Sequence, residues 1–431
     1  MATVGSAVGL GNIWRFPTVV GRTGGALFVL IYLIVVLLVG VTAMIAEFTL
    51  GRHTRQSPLS AFRTLKPNSS WWAAGALSVA AVVLILSFYS VIAGWSVAYV
   101  IRYWTGALSG LDAAGLRAAY EGLTAEPRWT LVLHFLFMSL TALVVSRGIT
   151  GGIERWTRVL MPSVVVLLLF LLFRVLQLPG SGEGLRWLIA PDFALLNFAT
   201  VLEATGQVFF SFSLGMGIMI TYGSYLFGDD NIPQSAIFIA GADVAIALLA
   251  GLTVIPAVFA MGIEPEMGPG LIFVAVPAVF NTLPGGSFFG GAFFLMISFA
   301  ALTTTLSLLE VGVSVIMDEW GWTRQRATYG AASIIFLLGV PSALSEGAVP
   351  LMVLGMTFLD AVDFFASNIL LPLGGILTAI FVGWIWERRS VMNELERAGH
   401  RFLLAPLWFA SLKYVVPLAI IMAIAGRFIL G

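Results

Sequence analysis

An all-α fold of membrane-spanning helices is predicted by three observations: long apolar runs, little charge inside them, and basic residues gathered in alternate loops. Of the 431 residues, 59% are hydrophobic and 10% charged. A helix crosses a bilayer with about 20 predominantly apolar residues. Such runs predict eleven spans, over residues 2–20, 26–50, 72–102, 129–146, 159–176, 198–227, 236–262, 288–317, 329–344, 356–386 and 403–429. The first is short. An odd number of crossings puts the two termini on opposite faces of the membrane.

The distribution of Lys and Arg decides which face is which. Loops after the second, fourth, eighth and tenth spans carry Arg52, Arg55, Arg63, Lys66, Arg147, Arg155, Arg158, Arg324, Arg326, Arg388, Arg389, Arg397 and Arg401. The opposite loops hold Arg22, Arg117, Arg128 and Arg186. The amino terminus is therefore expected in the cytoplasm and the carboxyl terminus outside. Formal net charge is zero, and the basic loops read as topology signals, so no nucleic-acid partner is expected. The absence of cysteine removes disulfides and thiolate metal sites. His53, His134 and His400 lie in two loops and one span, without ligand spacing. With no nucleophile–base pair either, an enzyme is disfavoured. The first span lacks a basic leader and a small-residue cleavage site, so no cleavable signal peptide is expected. No linker or low-complexity tract divides the chain, and 1–431 reads as one transmembrane unit.

Two of the spans are interrupted. GSAVGLGN, residues 5–12, puts three glycines into seven positions, each costing a helix roughly 1 kcal/mol against alanine. The sixth span, QVFFSFSLGMGIMITYGSY, carries LGMG at 214–217. Gly-interrupted segments at corresponding places in two halves point to an inverted repeat with a binding site at the membrane midplane. The first and sixth spans correspond if five spans make one repeat. Unwound backbone at that depth is tolerated only where it is buried in protein or lines a cavity. There, half-helix N-termini offer N–H groups to anions, and freed carbonyls offer oxygens to cations. One glycine cluster alone reads equally well as close helix packing. Two at equivalent positions, each flanked by Ser and an aromatic, favour a site. Residues 9–14 do not match GxGxxG and follow no strand, which speaks against a dinucleotide fold.

GSAVGLGNIWRFP at the start, EFTLGR (47–52), LSFYSVIAGW (86–95), QVFFSFSLGMG and FAALTTTLSLLE (299–310) together resemble the neurotransmitter:sodium symporter family, most closely its bacterial eleven-helix amino-acid transporters. The resemblance runs nearly end to end. It implies a leucine-transporter-type fold: a 5+5 inverted repeat with unwound first and sixth helices, plus an eleventh helix. Repeat one would cover about 1–177, repeat two about 198–386 and the extra helix about 403–429. It also implies residence in the inner membrane of a prokaryote, and two sodium ions.

One sodium site would take Ala7 (carbonyl), Asn12, Ser211 and Asp243. The other would take the carbonyls of Gly5, Val8 and Ala300 with the hydroxyls of Thr303 and Thr304. Hard cations want several oxygen ligands, and neutral ones suffice for reversible binding. Without that context Thr303 and Thr304 would read as residues bonded back to their own helix. Asp243 is the one ionisable group in AIFIAGADVAIALLAG, and an acid at membrane depth is a functional candidate; a buried structural acid is the other reading. Substrate carboxylate would sit on the N–H groups of Leu10 and Gly11, helped by Tyr89. Its ammonium would sit on carbonyls of Ala7, Phe210 and Ser211 with the Ser213 hydroxyl. Ile85, Phe210, Ser213, Met216, Thr304 and Leu308 would line the side-chain pocket. Family members that carry monoamines have an aspartate where this chain has Gly9, so the expected substrate brings its own carboxylate.

Arg15 and Asp363 would form an outer gate above a lid of Tyr89 and Phe210, a static salt bridge being the plainer reading of that pair. Asp318 matches the inner-gate acid, while its arginine partner and the inner half of the first helix would lie upstream of residue 1. Glu47, Glu310 and Lys413 read as structural pairs or snorkelling groups, with proton handling by Glu47 as the alternative. Tyr32, Gln207 and Ser211 resemble the chloride shell of the animal members. Asp243 supplies a fixed charge beside them, so no chloride requirement is expected. The function implied is sodium-coupled symport of neutral, hydrophobic L-amino acids by alternating access. The rivals are a same-fold carrier of another zwitterion, such as a betaine or non-protein amino acid, and an amino-acid sensor that does not transport. Oligomeric state is left open.

Overall fold

The computed structural model describes Gly9 and residues 11–260, 271–282, 284–347, 349 and 351–430. Among these, nine helices are long and apolar enough to cross a membrane: Ala26–Thr54, Trp72–Trp104, Pro127–Ser146, Ile149–Val175, Ile232–Ala260, Gly286–Trp320, Arg324–Ser345, Phe358–Ile385 and Ala405–Gly426. They are the second to fifth and seventh to eleventh predicted spans. The two remaining are the interrupted ones. The sixth is a helix from Phe198 to Ser211, a run of turns over 212–217, and a second helix from Ile218 to Tyr225. The first has a wide turn at Gly11–Arg15 that continues into the helix Phe16–Arg22.

Hydropathy misplaced several ends. The fifth span begins at Ile149 and the ninth at Arg324, where Arg155, Arg158 and Arg326 lie within helices that the apolar runs had excluded. Charged side chains near a span's end reach the interface along their methylene stems, so charge stops a hydropathy window before it stops a helix. The tenth span begins at Phe358 and not at 356. Met352–Val353 and Met356–Thr357 pair as a short antiparallel ribbon, and Thr357 caps the helix through the Asp360 N–H. Short helices at Pro58–Leu65, Ala113–Thr124, Ser181–Ile189 and Arg388–Leu395 lie between spans. At 8 to 12 residues they are too short to cross.

The third and eighth spans pack along each other at the centre, and the fourth and ninth flank them. His134 explains its own presence in the fourth span. Its Nε2 donates to the Phe336 carbonyl at 3.1 Å, and Nδ1 meets the Ser90 hydroxyl at 3.0 Å, which ties the third, fourth and ninth spans. The second span and the last helix of the sixth touch backbone to backbone. A Cβ on Gly51 would overlap the Ile220 carbonyl, and one on Gly223 would lie 2.7 Å from that of Phe48. Small residues permit this approach where no hydrophobic effect drives helices together.

One polar knot gathers the loops after the second, sixth and tenth spans, as an even number of crossings requires. Arg52 is fully buried and pairs with Glu394 at 2.6 Å. Its other nitrogens donate to the carbonyls of Asp230 and Glu394. His53 meets Glu394 at 3.2 Å, and His400 donates to the Asp229 carbonyl at 2.8 Å. Within the spans, Glu310 pairs with Arg324 and accepts from the Tyr225 hydroxyl at 2.7 Å. The Lys413 ammonium lies 4.8 Å from the Trp384 ring centre. Glu47, expected to be a structural pair or a snorkelling group, does not snorkel: it is buried, and its Oε1 accepts from the backbone N–H of Gly215 at 2.7 Å.

Candidate functional site

The interruption in the sixth span folds as it does because three of its residues adopt left-handed backbone: Ser213 (φ 52), Gly215 (φ 76) and Gly217 (φ 72). Two of them are glycines, for which that region carries no penalty. A serine there is the less common case, of the kind that clusters at binding sites. The regular helix ends at Ser211 and resumes at Ile218, and Ser213 and Met216 of the segment between share a cavity with Gly9 and Gly11 of the first span.

Between the two breaks is a small cavity of about 20 Å³ lined by Gly9, Gly11, Ile85, Tyr89, Phe210, Ser211, Ser213, Met216, Thr304 and Leu308. Every described residue assigned to the substrate from sequence lines it. Gly9 is the addition. A Cβ on Gly9 would overlap the Thr304 hydroxyl and lie 3.0 Å from the Tyr89 hydroxyl, so a side chain there would fill the polar corner. The missing Cβ was the available signal. Ala7 and Leu10 lie outside the described residues.

Above the cavity is a second, larger space of about 260 Å³, lined by Trp14, Arg15, Thr18, Arg22, Phe88, Tyr89, Ile92, Glu203, Phe210, Asp360, Asp363 and Ser367 among others. Tyr89 and Phe210 belong to both and form the partition between them. The Arg15 guanidinium lies 4.5 Å from the centre of the Phe210 ring, within cation–π range. Asp363 faces the same space and accepts from Ser367 at 2.7 Å. These vestibule residues come from the first, third, sixth and tenth spans, and no local pattern in the sequence links them.

Asn12, Ser211 and Asp243 converge, all three buried. The Asn12 amide nitrogen donates to Asp243 Oδ1 at 2.8 Å and to Ser211 Oγ at 3.2 Å, and its Oδ1 accepts from the Gly9 N–H at 3.1 Å. Ser211 Oγ lies 2.8 and 3.0 Å from the two carboxylate oxygens, and the Tyr32 hydroxyl lies 3.3 Å from Oδ2. Gln207 donates to the Gly11 carbonyl at 3.1 Å. The seventh span thus turns Asp243 toward the first and sixth.

Thr303 and Thr304 both point their hydroxyls at the Ala300 carbonyl, at 2.8 and 3.3 Å. Thr304 also borders Gly9. Gly5 and Val8, assigned to the same sodium site, lie outside the described residues. Asp318 accepts from the Ser57 N–H at 2.6 Å and so holds the start of the loop helix Pro58–Leu65.

Discontinuous helices paired across a polar midplane site, beneath a vestibule closed by two aromatic rings, define a secondary transporter. The sodium:neurotransmitter symporter family matches residues 1–111 and 120–430, and the chain belongs to that family. It is therefore a sodium-dependent membrane transporter, not an enzyme. It is 40% identical over 425 residues to an uncharacterised sodium-dependent transporter of Bacillus subtilis, covering 98% of this chain and 94% of the relative. A similar protein of Methanocaldococcus jannaschii is 32% identical, over 98% and 87%. The solved structure of MhsT in complex with L-phenylalanine superposes with a TM-score of 0.92 at 43% identity, covering 99% of this chain and 97% of that one. The fold is accordingly the leucine-transporter type, with two five-helix repeats and an eleventh helix.

Proposed function

We propose that the protein imports neutral, hydrophobic L-amino acids with sodium by alternating access, and needs no chloride. The observation that carries this reading is the lining of the cavity. Ile85, Phe210, Met216 and Leu308 supply apolar surface, and the polar atoms are hydroxyls and backbone. Among the described residues no charged side chain lines it, so a charged substrate side chain would be desolvated without compensation. Polar groups are concentrated where Gly9, Gly11, Tyr89 and Thr304 meet, which suits a carboxylate and ammonium. The relative solved with L-phenylalanine supports the same substrate class.

Two sodium ions fit the groups present. Asn12, Ser211 and Asp243 would hold one, a half-turn of the Asn12 amide presenting its oxygen. Ala300, Thr303 and Thr304 would hold the other together with the first span. Asp243 would stand in for chloride. Tyr89, Phe210, Arg15 and Asp363 would gate from outside, and Asp318 from inside. Glu203 and Phe210 of the vestibule precede the sixth span's break and Asp230 of the Arg52 knot follows it, so the two lie on opposite sides. With the basic loops inside, the vestibule faces out, the amino terminus is cytoplasmic, and the whole chain is one unit with repeats over about 1–177 and 198–386.

Reconstituted vesicles test this. An inward sodium gradient should drive uptake of labelled phenylalanine above its external concentration, with gluconate serving as well as chloride. Uptake that is unchanged when potassium replaces sodium would overturn the coupling.

A further inference from the structure

We propose that Gly374 and Gly375 of the tenth span, which touch no substrate, set the depth of the side-chain pocket and so the largest side chain it accepts. The inference rests on the cavity between the two breaks being the substrate site.

The wall of that cavity formed by Ser213 and Met216 belongs to the turns at 212–217, which lie between the two helices of the sixth span. Their position is imposed from behind. The Gly215 N–H is held by Glu47 of the second span. On the tenth span, a Cβ built on Gly374 would overlap the Gly215 carbonyl oxygen and lie 3.1 Å from its carbonyl carbon. A Cβ on Gly375 would overlap the Phe209 ring, the residue before the lid. In return, a Cβ on Gly215 would overlap the Leu371 carbonyl and lie 2.8 Å from the Gly375 nitrogen. The turns thus rest on one bare turn of the tenth helix, backbone on backbone.

Neither the second nor the tenth span contributes a residue to the cavity lining. They back the wall, while the cavity is in front of it. Any atom added at Gly374 meets backbone, which cannot rotate aside as a side chain can, so the turns must move away from the tenth helix and carry Met216 with them. The Asn12–Ser211–Asp243 cluster sits before the turns, at the end of a regular helix, and is not backed by Gly374.

The test is a set of dissociation constants for alanine, valine, leucine, phenylalanine and tryptophan on purified protein in sodium. In Gly374→Ala, affinity for phenylalanine and tryptophan should fall roughly tenfold or more, the scale of one methyl group in a packed pocket. Alanine should change less than about threefold, and half-saturation by sodium, read with alanine, should hold. Removing side-chain volume from the displaced wall, in Gly374→Ala with Met216→Ala, should restore the large substrates. If Gly374→Ala fails to assemble, Gly375→Ala should give a milder shift of the same sign, since its methyl meets a ring. Uniform loss across the series, or no change, overturns the proposal. A wild-type protein that binds no amino acid overturns the substrate reading itself, a result visible before any variant is made.

Discussion

Replacing Asp243 by Asn keeps the shape of the side chain and removes its charge. The carboxylate is fully buried and accepts from Asn12 at 2.8 Å, Ser211 at 2.8 Å and Tyr32 at 3.3 Å. A sodium ion sharing Asn12 and Ser211 with it would sit about 4 Å away, where unit charges at an effective dielectric near 20 attract by roughly 4 kcal/mol. That corresponds to about three decades of affinity, an upper bound because the amide oxygen remains a ligand. In the assay, sodium is titrated against phenylalanine binding in chloride and in gluconate. Wild-type curves should coincide. Asp243→Asn should need at least roughly tenfold more sodium in gluconate, with part of the loss recovered in chloride, which can occupy the space beside Tyr32 and Gln207. A wild-type protein that loses binding in gluconate would refute the reasoning, because the fixed carboxylate would then not be the counter-charge.

Three further outcomes are expected. Thr304→Ala and Asn12→Ala should each weaken sodium-dependent binding at least tenfold, about 1.4 kcal/mol, and full affinity in potassium alone would contradict both sodium assignments. A competition screen should show several large aliphatic and aromatic amino acids binding, because Met216 repacks around different shapes, while Asp, Glu, Lys and Arg fail; displacement by glycine or charged amino acids alone would sink this. Outside the spans, burial raises the Glu394 carboxyl, but hydrogen bonds from His53 and Arg52 and the charges of Arg52 and Arg397 outweigh it and hold it at about 2. A depressed carboxylate stabilises the fold above its ordinary range, and that contribution is lost as pH falls from about 4.5 to about 2. Glu394→Gln should therefore melt lower than wild type at pH 7, with the gap closing in acid, and a pH-independent gap would exclude this origin.

The existence and order of the spans were legible because bilayer thickness imposes length and hydropathy directly. Their ends were not, as Arg324 and Arg326 inside the ninth helix show, since a hydropathy window penalises a charge that costs the helix little at an interface. The broken sixth span was legible from LGMG, and Asp243 from its isolation in an apolar run. What supports these residues was hidden. Nothing near Glu47 in sequence indicates that its partner is the N–H of Gly215, 168 positions on. Gly374 and Gly375 read as two more small residues in a membrane helix, and their meaning depends on which backbone lies opposite. The short helices between spans were missed because amphipathic segments of 8 to 12 residues leave no mark on a 20-residue scale.

Phe210 is a wall of two chambers at once, and the Arg15 guanidinium of the outer one lies over its ring. If that ring is the lid proposed above, part of the energy that holds it shut would come from a cation on the vestibule side, outside the cavity. Weakening that stack would then lower one barrier crossed in both directions. Entry and escape would speed up together while the equilibrium between them stayed put, so how long a substrate stays would be set separately from how tightly it is held.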